Sequence, residues 1–172
     1  MKPPNIKRSQ AQEKKTAKEL NGKVTPASGS KWHSKGDIRT DKFLVEVKTT
    51  TKPQYRLTLE TWEKIYKEAL RDGMRIPVMR IDLTDAWKNV HSFAVIGGDV
   101  FLEMGTMDIG SRSKVMDRQV SGKKSFLLKT TASTYQYLFV LERREPSGST
   151  KMFSLVAMPW KEFVEYANQT TD

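Results

Sequence analysis

The stretch from Lys42 to Thr50, KFLVEVKTT, alternates residue by residue, which is the signature of a half-buried β-strand. Period two places Phe43, Val45 and Val47 on one face and Leu44, Glu46 and Lys48 on the other. One face demands a hydrophobic core, while the opposite face carries a carboxylate and an ammonium side by side. Just upstream, DIR at 37–39 reads as a partner strand, joined to it by a tight turn near Thr40 to Lys42.

The rest of the chain supplies layers for such a sheet. Apolar residues at Leu59, Trp62, Ile65, Tyr66, Ala69 and Leu70 recur at helical spacing, with Thr58 as N-cap, Leu57 stapling onto Trp62 and Gly73 as the stop. RIPVMRIDL and HSFAVIGG follow as two strands, the first starting after a proline where its missing donor matters least. Strand, strand, helix, strand, strand predicts an α/β fold with a central mixed β-sheet flanked by helices. Ahead of it, Ser9 and Gln12 form a capping-box pattern for a polar helix over about 9–21 that ends near Gly22 and has little beyond Ala17 and Leu20 to bury. Residues 1–8 read as a flexible basic arm, and TPASGS as a loop. From 97 to 125 the pattern dissolves into an irregular excursion. SFLLKTT, YQYLFVLER and MFSLVAM are strand-like, the last two joined by the turn sequence EPSGST, and Pro159 opens a helix with Trp160, Phe163, Val164 and Ala167 on one stripe. There is no internal repeat.

Length and composition narrow the possibilities. At 172 residues one domain is expected, with 9–172 as its extent, and a hydrophobic fraction of 37% leaves part of the chain without a core to join. Thirty lysines and arginines against 20 acidic residues give a net charge of +10, which calls for an anionic partner, nucleic acid being the commonest. With no cysteine and only His33 and His91, thiol chemistry and cysteine-ligated zinc are excluded, so any metal must be a hard one. No signal peptide and no apolar run of about 18 residues are present, which leads us to expect a cytoplasmic protein with no membrane partner.

Alternating charge on a strand is ordinarily a solvated face with modest cross-strand pairing. Here a hairpin would bring Asp37, at the head of the preceding strand, next to Glu46. Two carboxylates converging at one end of a sheet suit a hard divalent cation such as Mg²⁺, which takes oxygen ligands and keeps several waters. Lys48 would lie beside that ion, placed to orient or deprotonate a water and to offset charge on a phosphate.

The string Asp37, then Glu46-Val47-Lys48, resembles the D-(x)n-E-x-K core of the PD-(D/E)XK nuclease superfamily, with Gly36 where that motif carries proline. The upstream ASGS resembles the serine-glycine loop of archaeal-type Holliday junction resolvases, and similar short phage proteins share the layout; the match runs from about Glu13 to Val78. The resemblance implies a restriction-endonuclease-like core in which Asp37 and Glu46 bind Mg²⁺, with Mn²⁺ as a substitute, helped by the Val47 carbonyl. It implies that Lys48 positions the nucleophilic water and that Ser30, or Ser28, touches the scissile phosphate. Glu19 becomes the helix-borne acid, with Glu13 on the same helix as the alternative. Residues 79–172 match nothing specific.

Other residues admit two readings each. His33 is a phosphate contact or a loop residue, and Trp32 a base-stacking wedge or a cover for the sheet edge, whereas His91, Trp62 and Trp160 read as structural. Met104, Met107 and Met116 are gap fillers or a partner surface. Thr49 and Thr50 reach toward phosphate or simply suit a strand, and the basic residues of MKPPNIKR and SRSKVMDRQVSGKK are DNA-backbone candidates.

The expected function is therefore a Mg²⁺-dependent endodeoxyribonuclease acting on branched DNA as a homodimer, since resolving a junction takes two coordinated nicks. The rivals are a nuclease of the same superfamily acting on duplex or flap DNA, and a non-catalytic DNA-binding protein that retains the fold.

Overall fold

The computed structural model describes residues 4–25, 37–105, 114–132 and 135–170. Ser28, Ser30, Trp32 and His33 lie outside the described residues, as do the side chains of Met107, Met116 and the basic residues within 1–8 and 111–123.

In chain order the elements are helix α1 (Pro4–Glu19), strands β1 (Lys23–Val24), β2 (Ile38–Arg39), β3 (Phe43–Thr49) and β4 (Gln54–Thr58), and helix α2 (Leu59–Arg71). Strands β5 (Ile76–Thr84) and β6 (Val90–Gly97), helix α3 (Gly98–Met104), and strands β7 (Lys114–Lys123) and β8 (Ser125–Lys129) follow. A 3-10 turn at Thr130–Ala132, strands β9 (Tyr135–Arg144) and β10 (Thr150–Pro159) and helix α4 (Trp160–Gln169) complete the set.

Eight strands form one mixed sheet in the order β1-β2-β3-β5-β6-β10-β9-β7, and β4 pairs with β8 as a separate two-stranded sheet. The α/β class with a mixed sheet flanked by helices is as the sequence predicts. β2 and β3 are antiparallel, with Ile38 opposite Val45. β3 and β5 are parallel, from Phe43 opposite Ile76 to Thr49 opposite Asp82. That parallel pair requires a crossover, and α2 provides it.

Each face of the sheet has its own core. Phe43, Val45, Val47, Val78, Ala94 and Ile96 pack with Ala17 and Leu20 of α1, Val100 and Met104 of α3, and Trp160, Phe163 and Tyr166 of α4. On the other face Met79, Ile81, Phe93, Val95, Phe139 and Leu155 pack with Leu59, Trp62 and Ile65 of α2 and with Leu57 and Leu128 of the small sheet. β5, covered on both sides, is buried from Val78 to Thr84.

The helix ends follow local chemistry. The Thr58 hydroxyl accepts the N–H of Thr61, and Gly73 takes a φ of +77° after the helix, as expected. α1 departs from the expected start near Ser9: it begins at Pro4, whose fixed φ suits a first turn, and the Ser9 hydroxyl donates to Glu13 Oε1 at 3.0 Å instead of capping. At its far end Asn21 adopts a φ of +50° and the Gly22 N–H reaches the Ala17 carbonyl at 2.8 Å. A Cβ on Gly22 would stand 2.8 Å from the Arg39 carbonyl oxygen, so glycine is what lets the chain pass this close to β2.

The stretch 97–125 is more regular than its sequence suggests, for it contains α3 and β7. β7 runs parallel to β9 with two register shifts, between Met116 and Val120 and between Val120 and Lys123, and those shifts break the alternation that would mark a strand.

Candidate functional site

The hairpin from Asp37 to Val47 builds the site. The Thr40 N–H donates to the Phe43 carbonyl at 3.0 Å and the Phe43 N–H to the Thr40 hydroxyl at 2.8 Å, closing the turn. At the other end of the short ladder, the Asp37 N–H donates to the Val45 carbonyl at 3.0 Å. Asp37 then folds its carboxylate forward, and Oδ2 accepts the Val47 N–H at 2.8 Å. A side chain thus continues the ladder where β2 ends. Because N–H and C=O of alternate strand residues point to the same side, the Val47 carbonyl faces that same edge.

Glu46 and Lys48 project to the α2 face, where Lys48 Nζ donates to Glu46 Oε1 at 2.6 Å. They line a cavity of about 210 Å³ with Tyr55 of β4 and Thr61, Lys64, Ile65 and Glu68 of α2. Glu46 is the more enclosed, its side chain 16% exposed against 38% for Lys48.

The electrostatics are unbalanced. Burial first, and then the negative charges of Glu46 and Glu13, raise the Asp37 pKa to about 6, with the Val47 N–H and Lys48 offsetting them only in part. For Lys48, burial works against the ammonium, but the Glu46 hydrogen bond and the charges of Glu46 and Asp37 outweigh it and raise the pKa. Burial likewise raises the Tyr55 phenol. Lys48 is therefore a fixed cation at neutral pH, while Asp37 sits where a further positive charge would relieve it.

That imbalance fits a hard divalent cation. The donors are oxygens: the Asp37 and Glu46 carboxylates and the Val47 carbonyl. Among the described residues no cluster of three or more histidine, aspartate or glutamate side chains could hold a metal alone, so the remaining positions would fall to water and substrate. Mg²⁺ is commonly bound in this way, by one or two carboxylates with waters and phosphate oxygens.

The structure divides the two helix-borne candidates. Glu19 Oε2 accepts from Arg80 Nη1 at 2.5 Å and from Trp160 Nε1 at 2.8 Å. Arg80, itself 1% exposed, also binds Asp82 Oδ1 at 3.1 Å and the Thr16 hydroxyl at 3.0 Å, and lies 4.6 Å over the Trp160 ring. Glu19 thereby ties α1 to β5 and α4. Glu13, about 9 Å back along the helix axis, is instead the glutamate whose charge acts on Asp37.

No protein-family model matches this sequence, and no curated protein matches it. The geometry must therefore carry the functional argument. Of the residues singled out in the sequence, Asp37, Glu46, Val47 and Lys48 converge, Glu19 is engaged elsewhere, and Ser30 and Ser28 lie outside the described residues. Tyr55, Lys64 and Glu68 were not foreseen at the site. The i,i+4 pair of Lys64 and Glu68 was readable on α2, but Tyr55 could be placed only once β4 was known to be a strand.

Proposed function

We propose that this protein is a metal-dependent endonuclease of the PD-(D/E)XK type that hydrolyses DNA phosphodiesters, with four-way junctions as its preferred substrate. The observation that carries the reading is the convergence of Asp37, Glu46 and Lys48 through the Asp37 to Val47 N–H bond and the 2.6 Å Lys48 to Glu46 contact. Topology supports a restriction-endonuclease-like core: α1 is followed by antiparallel β1, β2 and β3, and α2 then leads to β5, parallel to β3. The net charge of +10 supports a polyanionic substrate.

Asp37, Glu46 and the Val47 carbonyl would hold the cation. When bound, Mg²⁺ supplies polarisation of a phosphate oxygen and acidification of a coordinated water. Lys48, kept protonated by Glu46, holds a water by hydrogen bond and stabilises negative charge as it develops on the phosphoryl oxygens. The water oxygen would form its bond to phosphorus in line with the sugar oxygen whose bond breaks, the water's proton passing to solvent and the departing oxygen taking one from solvent. Tyr55 and Ile65 line the same cavity as the Glu46–Lys48 pair.

The preference for junctions rests on the ASGS sequence and implies a symmetric dimer with two sites. It is tested by presenting labelled four-way junction, flap and linear duplex in Mg²⁺. Paired symmetric nicks confined to the junction support a resolvase. Equal cutting of all three retains the nuclease but removes the junction preference, and binding without cutting removes the nuclease.

A further inference from the structure

Among the described residues Trp87 is the most exposed of the large hydrophobic side chains, 84% accessible at the tip of the β5–β6 hairpin. An exposed tryptophan on a mobile tail would need little explanation, but this one stands on a braced loop. Asp85 accepts the N–H groups of Trp87 at 2.9 Å and Asn89 at 2.8 Å, the Asn89 side-chain amide at 3.1 Å and His91 Nε2 at 2.9 Å. The Lys88 N–H closes back on the Asp85 carbonyl at 3.1 Å, with Lys88 at a φ of +65°. The His91 hydrogen bond, followed by those from Asn89 and Trp87, holds the Asp85 carboxyl at a pKa of about 2, so the brace stays ionised at neutral pH.

Trp87 also forms part of a cleft of about 570 Å³ shared with Thr51, Pro53, His91, Thr130 and Thr131. This cleft sits beyond the C-terminal end of β3, the strand that carries Lys48. Lys48 is paired with Ile81, and three residues further on Thr84 donates its hydroxyl to the Thr50 carbonyl at 3.0 Å. The hairpin therefore starts roughly 10 Å beyond Lys48 along the strands. Lys52, Lys88 and Lys129, each exposed and adjacent in sequence to a cleft residue, form no ion pair with a described residue.

A flat aromatic face, an adjoining cleft edged with hydroxyls and three exposed lysines on the flanking chain match the chemistry of a nucleotide: a base to stack, polar edges to bind and phosphates to neutralise. We propose that Trp87 and this cleft receive an unpaired base of the DNA substrate, a second contact that selects strands opened at a branch or end. The inference rests on the nuclease reading for the identity of the ligand as DNA, and stacking on Trp87 is independent of the chemistry at Asp37 and Glu46.

The test is binding of the full chain, in EDTA, to single-stranded oligothymidylate and to a blunt duplex of equal length, with Trp87→Ala and Trp87→Phe. Loss of a stacked base predicts that Trp87→Ala weakens the single strand by roughly 5- to 150-fold, equivalent to about 1 to 3 kcal/mol, and leaves the duplex within about twofold. Trp87→Phe should recover most of the loss. Unchanged single-strand affinity in Trp87→Ala, or an equal loss on both DNAs, overturns the proposal. Cleavage in Mg²⁺ is scored separately: a parent that binds single strands through Trp87 but cuts nothing loses the nuclease reading alone, and a parent that binds neither DNA loses both.

Discussion

The carboxylate of Asp37 accepts the backbone N–H of Val47 at 2.8 Å, across the hairpin and one residue from both Glu46 and Lys48. This bond fixes the distance between two carboxylates that repel each other. It also gives Asp37 a structural duty that an amide can perform as well, which separates charge from position in any test of the site.

For the metal-free protein, Asp37 sets a pH dependence whose sign is definite. Its folded-state pKa of about 6 exceeds the ordinary 3.8, so over that interval the folded chain keeps a proton that the unfolded chain has lost. Stability in EDTA should therefore fall as pH rises from 3.8 to about 6, by roughly 2 kcal/mol from this group after allowance for solvent screening. Asp37→Asn keeps the acceptor for Val47 and removes the penalty, so it should unfold at higher denaturant than the parent at pH 7. Urea titrations at pH 4 and pH 7 check this, and an Asn variant less stable at pH 7 would contradict the burial and repulsion described.

Lys48→Met separates catalysis from cation binding. The variant removes a positive charge and no oxygen ligand, so Mg²⁺ affinity measured by calorimetry should not decrease. Cleavage under single-turnover conditions should fall by about 10²- to 10³-fold, the scale for loss of one preorganised electrostatic group. Parallel loss of metal binding would mean that Lys48 holds the fold of the site and does not act on substrate.

Glu13 and Glu19 should give opposite phenotypes. Glu19→Met removes the acceptor of Arg80 and Trp160 and should cost about 2 to 3 kcal/mol, a fall in Tm of several degrees, because Arg80 keeps Asp82 and Thr16 as partners. Glu13→Gln should leave Tm near that of the parent while weakening Mg²⁺ binding, since it withdraws a negative charge acting on Asp37. Calorimetric melting with and without Mg²⁺ distinguishes the two.

Much of this arrangement was written in local pattern. The Thr58 cap, the apolar stripe of α2 and the alternation of β3 each follow from a few adjacent residues, and the α/β class follows from their order. The Asp37, Glu46 and Lys48 set was legible for the same reason: a hairpin turn is a short-range device. What was not legible depends on distant partners. β4 is five residues long and becomes a strand only through β8, with Gln54 opposite Lys129, so Tyr55 could not be assigned to the site. Glu19 looked like a site residue because nothing near it in sequence announces Arg80, a fully buried arginine on the distant strand β5. Trp87 sits in a polar turn whose order comes from four hydrogen bonds to one aspartate, a convergence no periodicity displays.

The lysines that flank the Trp87 cleft residues in sequence should register in salt dependence. Changing Lys52, Lys88 and Lys129 together to glutamine should flatten the slope of log affinity against log salt for single-stranded DNA by about 2, at about 0.7 per phosphate contact. An unchanged slope would place the phosphate backbone on another surface.

The most direct measurement is cleavage of an end-labelled four-way junction by the parent and by Glu46→Gln, each in Mg²⁺ and in EDTA. The account predicts discrete nicks from the parent in Mg²⁺, none in EDTA, and none from Glu46→Gln although it binds the junction at least as tightly. Equal cutting by both proteins, or cutting that persists in EDTA, would contradict a metal-dependent site built on Asp37, Glu46 and Lys48.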